Sequence, residues 1–588
     1  MIADTLVAAL EHAAAHADPK KGFRVLGDDA ESAFFSFAAL ERATARHGGG
    51  LQSLGLRPGD RVALVLPDPA DFLLAFLGAQ RAGLVPVPLY PPLVTGSLAA
   101  YTDGLVATVR QSGARFVITS RALRPMLGAV ALGAPAVRGV LSIEAISDGP
   151  DLRPVLVDPE DVALLQYTSG SVGSPKGVIV THQNLAANAK AIAERGLGLG
   201  PDDVGVSWLP LYHDMGLVGF AVTPIFAHVP VVLMSPMSFL KRPVSWLRAI
   251  SRHRGTVSYA PTFAYALAQK RLRPSDLDGL DLSAWRIAGC GAEPIRKAPL
   301  MEFASALAPA GFDPRAFVPS YGLAEATLAV TFAPLGRGLV TDIVSGKALA
   351  DESVALPVDP AHPDAVELVR CGHAFPEHEV GVFAERGDAP LGERTVGEIR
   401  VRGPSVTRGY VEGPNAHEGG WLRTGDLGYH VDGELVVCGR SKEVIIINGR
   451  NVFPQDVEAA AERVVGVRRG NVVAFGARGA ATDRERLVVA FEREPGAGPD
   501  VAARVRESVA SLLGLAVDHA VALPTGALPK TSSGKLKRLA AKRLFERDEL
   551  EAHRRSKEPA LVDWGKELLR SQVGYLVSRV GRAGGEHA

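Results

Sequence analysis

The stretch Thr168–Gly177 reads TSGSVGSPKG, with three glycines, three serines, a threonine and a lysine close together. Glycine lets backbone N–H groups approach a ligand closely. Hydroxyls, exposed amides and a lysine ammonium together suit an anion, phosphate first among them. The loop is not a P-loop of the Gly-Lys-Ser/Thr kind. Lys176 precedes Gly177, and the apolar run VIVTH follows where a helix would open. Taken alone, the stretch also reads as a plain Gly/Ser/Pro turn. Further glycine-anchored clusters follow: LPLYHDMGL at 209–217, AGCGAEP at 288–294, SYGLAEA at 320–326, WLRTGDLGY at 421–429, GRSKEVIIINGRNVFPQDVE at 439–458 and LPKTSSGKLKR at 528–538.

These clusters need a scaffold. DRVALVLPD and LVPVPL are apolar, β-rich runs, and DFLLAFLGAQRAG between them has helical spacing and ends in glycine. RFVITS, VSWLPL, VPVVLM and TVSYAPT continue the alternation to about residue 260, which predicts α/β layers. From about 366 the texture changes. VELVRCG, HEVGVFAE, GEIRVRG, GELVVCG and KEVIIING are short strands punctuated by glycine, as in a β-rich subdomain of hairpins. A small α/β unit follows about residue 443, with strands in NVVAFGA and RLVVAFERE and a helix in VAARVRESVASLLGL. A basic helical stretch is expected over 535–556, and a tail closes the chain.

The chain has 588 residues, too many for one core. Lys+Arg and Asp+Glu both number 64, so nothing points to nucleic acid as a partner. Cys290, Cys371 and Cys438 are scattered, without a CxxC pair, which fits a reducing, cytoplasmic setting and no cysteine-based zinc site. The N-terminal stretch reads as an amphipathic helix lacking a basic leader region. The most apolar region, GFAVTPIFAHVPVVLM, is interrupted by His228 and two prolines, so no integral membrane association is expected.

In order and spacing the clusters resemble those of the adenylate-forming, AMP-binding superfamily of acyl-activating enzymes over nearly the whole chain, and most of all the fatty acyl-AMP ligases. The resemblance implies an α/β fold with a large N-terminal domain, 1–442, of two α/β layered subdomains plus a β-rich subdomain. A small mobile α+β domain, 443–548, and a tail, 549–588, follow. It implies ATP and Mg²⁺ as cofactors and a fatty acid as substrate. The carboxylate attacks the α-phosphorus of ATP, pyrophosphate departs, and acyl-AMP remains. Such chemistry asks mainly for positioning and for stabilisation of charge on phosphate oxygens.

By the same resemblance Thr168, Ser169, Gly170, Ser171, Gly173 and Lys176 hold the departing phosphates. Relatives usually carry a hydroxyl at position 172, where this chain has Val172; a lost charged hydrogen bond of about 1.5–3 kcal/mol weakens that grip. Tyr321 and Gly322 lie in the adenine motif, and an aromatic face stacks on a base. Glu325 matches the magnesium-associated glutamate, a hard oxygen ligand. Gly291, Ala292 and Glu293 form the other wall. Cys290 beside them reads as a packed thiol, with no partnered base. Asp426 and Arg440 match the ribose contacts, and Lys442 the hinge. Lys535 matches the catalytic lysine that swings in to bridge carboxylate and α-phosphate; Lys530 is its competitor in the same motif. His213 is placed near the carboxylate, with a core histidine satisfied by Asp214 as the plainer reading.

The segment at about 335–367 resembles the insertion that marks fatty acyl-AMP ligases. In that family it hinders the rotation used for CoA thioesters, and Leu339, Val340, Ile343 and Val344 would supply the apolar contacts. The implied acceptor is the phosphopantetheine thiol of an acyl carrier protein or polyketide synthase module. The basic 535–556 stretch, with Lys537, Arg538 and Lys542, would meet an acidic carrier protein, with a solvated helix as the plainer reading of a charge run. A fatty acyl-CoA synthetase with a long loop stays open as an alternative. So does a catalytically weak adenylate-binding protein, although retention of Lys535, Glu325, Asp426 and Arg440 speaks against it.

Overall fold

The computed structural model describes residues 3–27, 30–92, 98–168, 175–413, 417–447, 450–479, 482–530 and 536–551. The fold is α/β, as expected, with a large N-terminal part built on sheets of three kinds. A nine-stranded sheet has a parallel centre, Gly205–Ser207, Val231–Met234, Val257–Ala260, Ile287–Cys290 and Phe317–Gly322. A four-stranded, wholly parallel sheet forms from Arg61–Val65, Val85–Pro88, Phe116–Thr119 and Gly139–Ser142. Strand runs of this kind are apolar throughout because helices cover both faces. The helix Pro69–Arg81 between two of them starts where Asp68 accepts the N–H groups of Ala70 and Asp71.

The structure adds one strand that the pattern left unassigned and moves two runs out of the β-rich layer, KEVIIING pairing instead with Arg450–Val452. The strand Gly22–Leu26 does not join the nearby four-stranded sheet; it pairs with Val231–Met234 in the nine-stranded one. VELVRCG does not enter the β-rich layer. Its strand Ala365–Val369 pairs with Thr341–Ser345 in a separate two-stranded unit. The β-rich layer itself is five-stranded and antiparallel, with Trp421–Val431 between Gly397–Arg402 and Glu434–Arg440.

From Ile445 onward the chain builds separate cores. Along the strand Val467–Gly479, Val472 and Ala474 pack with Val505 and Val509 of the helix Val501–Leu513. Val473 and Phe475 pack the other way, with Val488, Leu523 and Ala541. That alternation is the period of two that a covered strand requires. Ion pairs join this unit to the N-terminal part: Arg296 to Glu462, Arg469 to Glu302 and Arg450 to Asp351.

The 335–367 segment is held by apolar contact, Val344, Leu349 and Ala355 packing with Tyr429, Val431 and Phe453, and by charge. Of its expected apolar anchors only Val344 is fully buried, while Leu339, Val340 and Ile343 are half-buried. Asp342 accepts two bonds from Arg394, at 3.0 and 3.1 Å, and one from the Tyr429 hydroxyl at 2.7 Å. Arg337 makes a two-pronged pair with the buried Glu434 at 2.7 and 2.6 Å. Removing one partner of a buried network strands the others, which costs about 3 kcal/mol. Asp342→Ala is therefore expected to lower unfolding free energy by about that amount in urea titrations. A loss under about 0.5 kcal/mol, the range of a surface substitution, would show that Asp342 is not the anchor.

Candidate active site

The strands Val162–Thr168 and Lys176–Thr181 form an antiparallel hairpin in which Thr168 faces Lys176. Ser169, Gly170, Ser171, Val172 and Gly173 lie outside the described residues, but the base of their loop is fixed. Gly177 is required there, since a Cβ would come within 2.8 Å of the Tyr167 ring. The Lys176 ammonium stands 4.7 Å above the ring of Tyr410, and the Tyr410 hydroxyl donates to Glu325 at 2.9 Å. Hairpin cation and Glu325 carboxylate are thus linked through one aromatic residue.

Glu325 sits on a turn made by close backbone packing. A Cβ on Gly322 would lie 2.0 Å from the Leu328 carbonyl oxygen. The chain therefore folds back tightly from the strand Phe317–Gly322 to Ala329–Phe332. On the facing wall, Gly291 packs so that a Cβ would be 2.8 Å from the Ser320 carbonyl oxygen. Ala292 follows in the left-handed region, at φ +66°. A non-glycine residue held there stores strain of the kind that gathers at binding sites. The Glu293 carboxylate accepts the Phe263 N–H at 2.8 Å. Cys290 is fully buried, and burial pushes its thiol well up.

The centre of the cleft is the Asp426 carboxyl. It accepts the Tyr321 hydroxyl at 2.7 Å and meets Arg440 Nε at 3.0 Å. The strand register sets the second contact, because Asp426 lies directly opposite Arg440. Burial holds the carboxyl above its ordinary range, and the Arg440 guanidinium pulls it back down. Lys442 follows in the turn Ser441–Glu443, whose first hydroxyl donates to the Gly425 carbonyl at 3.1 Å.

His213 Nδ1 lies 2.5 Å from Asp214 Oδ1, and its side chain stays 35% exposed. The Asp214 pairing of the plainer reading is present, yet the ring also lines the cleft. Lys535 lies outside the described residues. Its flanks meet, with Lys530 bridged to Leu536 and the Lys537 N–H donating to the Pro529 carbonyl at 2.8 Å. Lys530 itself donates to Asn471 at 2.7 Å.

One cleft of about 3300 Å³ is lined by Thr168, Lys176, His213, Gly291, Ala292, Glu293, Tyr321, Gly322, Glu325, Asp426, Arg440 and Lys442. Among the described residues no group of three or more His, Cys, Asp or Glu gathers to hold a metal, and Glu325, which the resemblance matches to one, lines the cleft as a lone carboxylate on its turn. That fits Mg²⁺, which takes one or two carboxylates and completes its shell with phosphates and water. Sequence reasoning missed Tyr410; its glycine-flanked place in VTRGYVEG was the available signal. It also took Arg538 for a free surface cation. Arg538 makes a two-pronged pair with Glu458 and a further bond to Glu443, which leaves Lys537 and Lys542 of the expected docking trio.

Fold and cleft together place the chain among the adenylate-forming α/β enzymes. The profile of the family "AMP-binding enzyme" matches residues 11–411, and the chain belongs to that family. A Caulobacter vibrioides protein provisionally named an acyl-CoA synthetase is 40% identical over 505 residues, 84% of this chain and 87% of its own length. The medium-chain-fatty-acid–[acyl-carrier-protein] ligase JamA of Moorena producens is 34% identical, over 83% of this chain and 86% of its own. A solved chain from studies of fatty acyl-adenylate ligases of E. coli and L. pneumophila superposes with a TM-score of 0.86. It is 37% identical and covers 92% of this chain and 98% of itself.

The Asp426 geometry carries a pH prediction. A carboxyl that accepts both ribose hydroxyls must be ionised, so with Asp426 in the role the resemblance implies, ATP affinity is expected to be full above its pKa and lost as pH falls through it. Arg440 opposes the effect of burial. Arg440→Gln is expected to raise the KM for ATP by about tenfold or more, as loss of a charged contact does, and to move the acid limb of that KM to higher pH. An acid limb that stays in place would exclude Asp426 as the titrating acceptor.

Proposed function

We propose that the protein is an ATP-dependent fatty acyl-AMP ligase that passes a medium- or long-chain acyl group to the phosphopantetheine thiol of a carrier protein. The observation that carries this reading is the convergence of the hairpin base, the Tyr321–Asp426–Arg440 cluster and Glu325 on one cleft. The first step joins a fatty acid oxygen to the α-phosphorus of ATP and breaks the bond to the β-phosphate, releasing pyrophosphate. In this reading Thr168, Lys176 and the adjoining loop hold the departing phosphates. Asp426 and Arg440 hold the ribose, and Tyr321 with the strand Ile287–Cys290 and its following turn sandwiches the base. His213 orients the acid. Lys535 bridges carboxylate and α-phosphate oxygens as charge builds there. Mg²⁺ would supply charge neutralisation between phosphates, with Glu325 as its protein ligand, oriented by Tyr410.

In the second step the thiol sulfur attacks the acyl carbonyl carbon and AMP leaves, giving a thioester. We place the boundary of the moving unit at Lys442, with the domain 443–548 turning about it. JamA's printed name supports a carrier protein as acceptor. The Caulobacter relative's name supports a second reading, a CoA thioester product. No helix among the described residues is long and apolar enough to cross a membrane, and the three buried free cysteines suit the cytoplasm.

Incubation with ATP, Mg²⁺, dodecanoate and CoA, read by mass spectrometry, separates the readings. Accumulation of dodecanoyl-AMP without dodecanoyl-CoA is expected; abundant dodecanoyl-CoA would assign the protein as an acyl-CoA synthetase. Lys535→Ala is expected to lower adenylate formation by about 10²–10³-fold, while an equal rate would move the role to Lys530.

A further inference from the structure

We propose that Leu199 closes the inner end of the acyl lane and sets the longest unbranched chain this protein adenylates, standing between the lane and a second cavity behind it. The inference rests on the proposed fatty acid adenylation and adds the length of the acid. The helical run that begins at Asp214 and ends at Ala227 walls the cleft from His213 inward. Met215, Gly219, Phe220, Thr223 and Pro224 line the cleft, and their spacing puts them on one helical face. Beyond Pro224 the chain turns to another space. Phe226, Ala227 and His228 line a second cavity of about 360 Å³, and Val229 lines the cleft again. The π-helical turn Ala191–Gly196 and its exit alternate in the same way. Ile192 and Leu197 line the cleft, whereas Ala193 and Glu194 line the second cavity. Among the described residues Leu199 alone lines both, so the wall there is one residue thick.

The backbone around Leu199 is pinned on both sides. The Leu199 N–H donates to the Ala193 carbonyl at 2.8 Å, past Gly198 in the left-handed region at φ +50°. Arg286 Nη2 donates to the carbonyls of Leu197 and Gly198, both at 3.1 Å, and to Asp203 at 2.6 Å. Asp203 in turn accepts the Gly200 N–H at 2.8 Å. An apolar side chain on a backbone held this way makes a sharp stop. Leu199 is half-buried, as a residue between two spaces must be. Behind it the small side chains of Ala9, Ala193 and Ala227 leave the second cavity open. At its rim His12 Nδ1 and His228 Nε2 lie 3.2 Å apart, and His12 and Glu194 are exposed, so the cavity reaches the surface. The helical rise from Asp214 to Pro224 is about 15 Å, the reach of roughly twelve carbons in an extended chain. A longer acid meets Leu199.

The test is ATP–pyrophosphate exchange by the full chain with octanoate, dodecanoate, hexadecanoate and octadecanoate. Octanoate stops short of Leu199, so its rate reports that each variant is folded. The wild-type kcat/KM is expected to fall about tenfold or more from dodecanoate to hexadecanoate, as overfilling a closed pocket does. Leu199→Ala is expected to raise hexadecanoate about tenfold against dodecanoate, because the lane then runs on into the second cavity. Leu199→Phe is expected to lose dodecanoate about tenfold and leave octanoate unchanged. Ala227→Leu, which fills the second cavity, is expected to cancel the gain of Leu199→Ala and to leave the wild-type profile as it is. A wild type that takes octadecanoate as readily as dodecanoate, or a chain-length profile that neither Leu199 variant moves, overturns the inference. A hexadecanoate gain in Leu199→Ala that survives Ala227→Leu overturns the part given to the second cavity. Absence of exchange by the wild type with every acid, octanoate included, overturns the adenylation reading beneath it.

Discussion

Tyr321 and Arg440 meet at one buried carboxyl, that of Asp426, with the Arg440 side chain 56% exposed. Tyr321 ends the central run of the nine-stranded sheet, whereas Asp426 and Arg440 face each other in the antiparallel layer. These layers have separate apolar cores apart from a small shared cluster that includes Tyr321 itself. Apolar packing is non-directional, so it can press two layers together without fixing their register. A carboxyl gripped by a phenol and a guanidinium fixes both distance and angle. The cost of burying the charge is met because its partners are in place.

Local signals made the elements legible where pattern and capping agree. Asp68 caps the helix Pro69–Arg81, and the alternation of Val472, Val473, Ala474 and Phe475 covers both faces of a strand. The pairing of Gly22–Leu26 with Val231–Met234 was not legible, because nothing within either run encodes a partner so far away. The strand in VELVRCG was misplaced for a related reason. Its period fits any half-covered sheet, and its actual neighbour is the strand Thr341–Ser345 across the 335–367 segment. In the cleft, motif residues could be named from their order along the chain. Tyr410 could not, because its importance comes from two contacts, to Lys176 and to Glu325, that exist only after folding.

Magnitudes separate the buried links in this molecule from the open ones. The 335–367 segment is tied to the antiparallel layer through Asp342 and through the pair between Arg337 and Glu434, whose acids are almost wholly buried. Breaking such pairs costs several kcal/mol. Two ion pairs to the 443–548 unit are more open, beside the half-buried pair of Arg296 with Glu462 and the packing of Phe453 against Val344 and Leu349. Arg450 and Asp351 are 33% and 28% exposed, and Arg469 and Glu302 are 70% and 52% exposed. Pairs this open contribute about 0–1 kcal/mol each. The segment therefore stands as a fixed post against which the small unit rests. The two open pairs contribute little to holding the small unit against the post, and the packing of Phe453 against Val344 and Leu349 contributes more. Removing the Asp351 charge would then cost about 1 kcal/mol or less, whereas a cavity at Phe453, whose side chain is buried between the unit and the post, would cost about 3 kcal/mol.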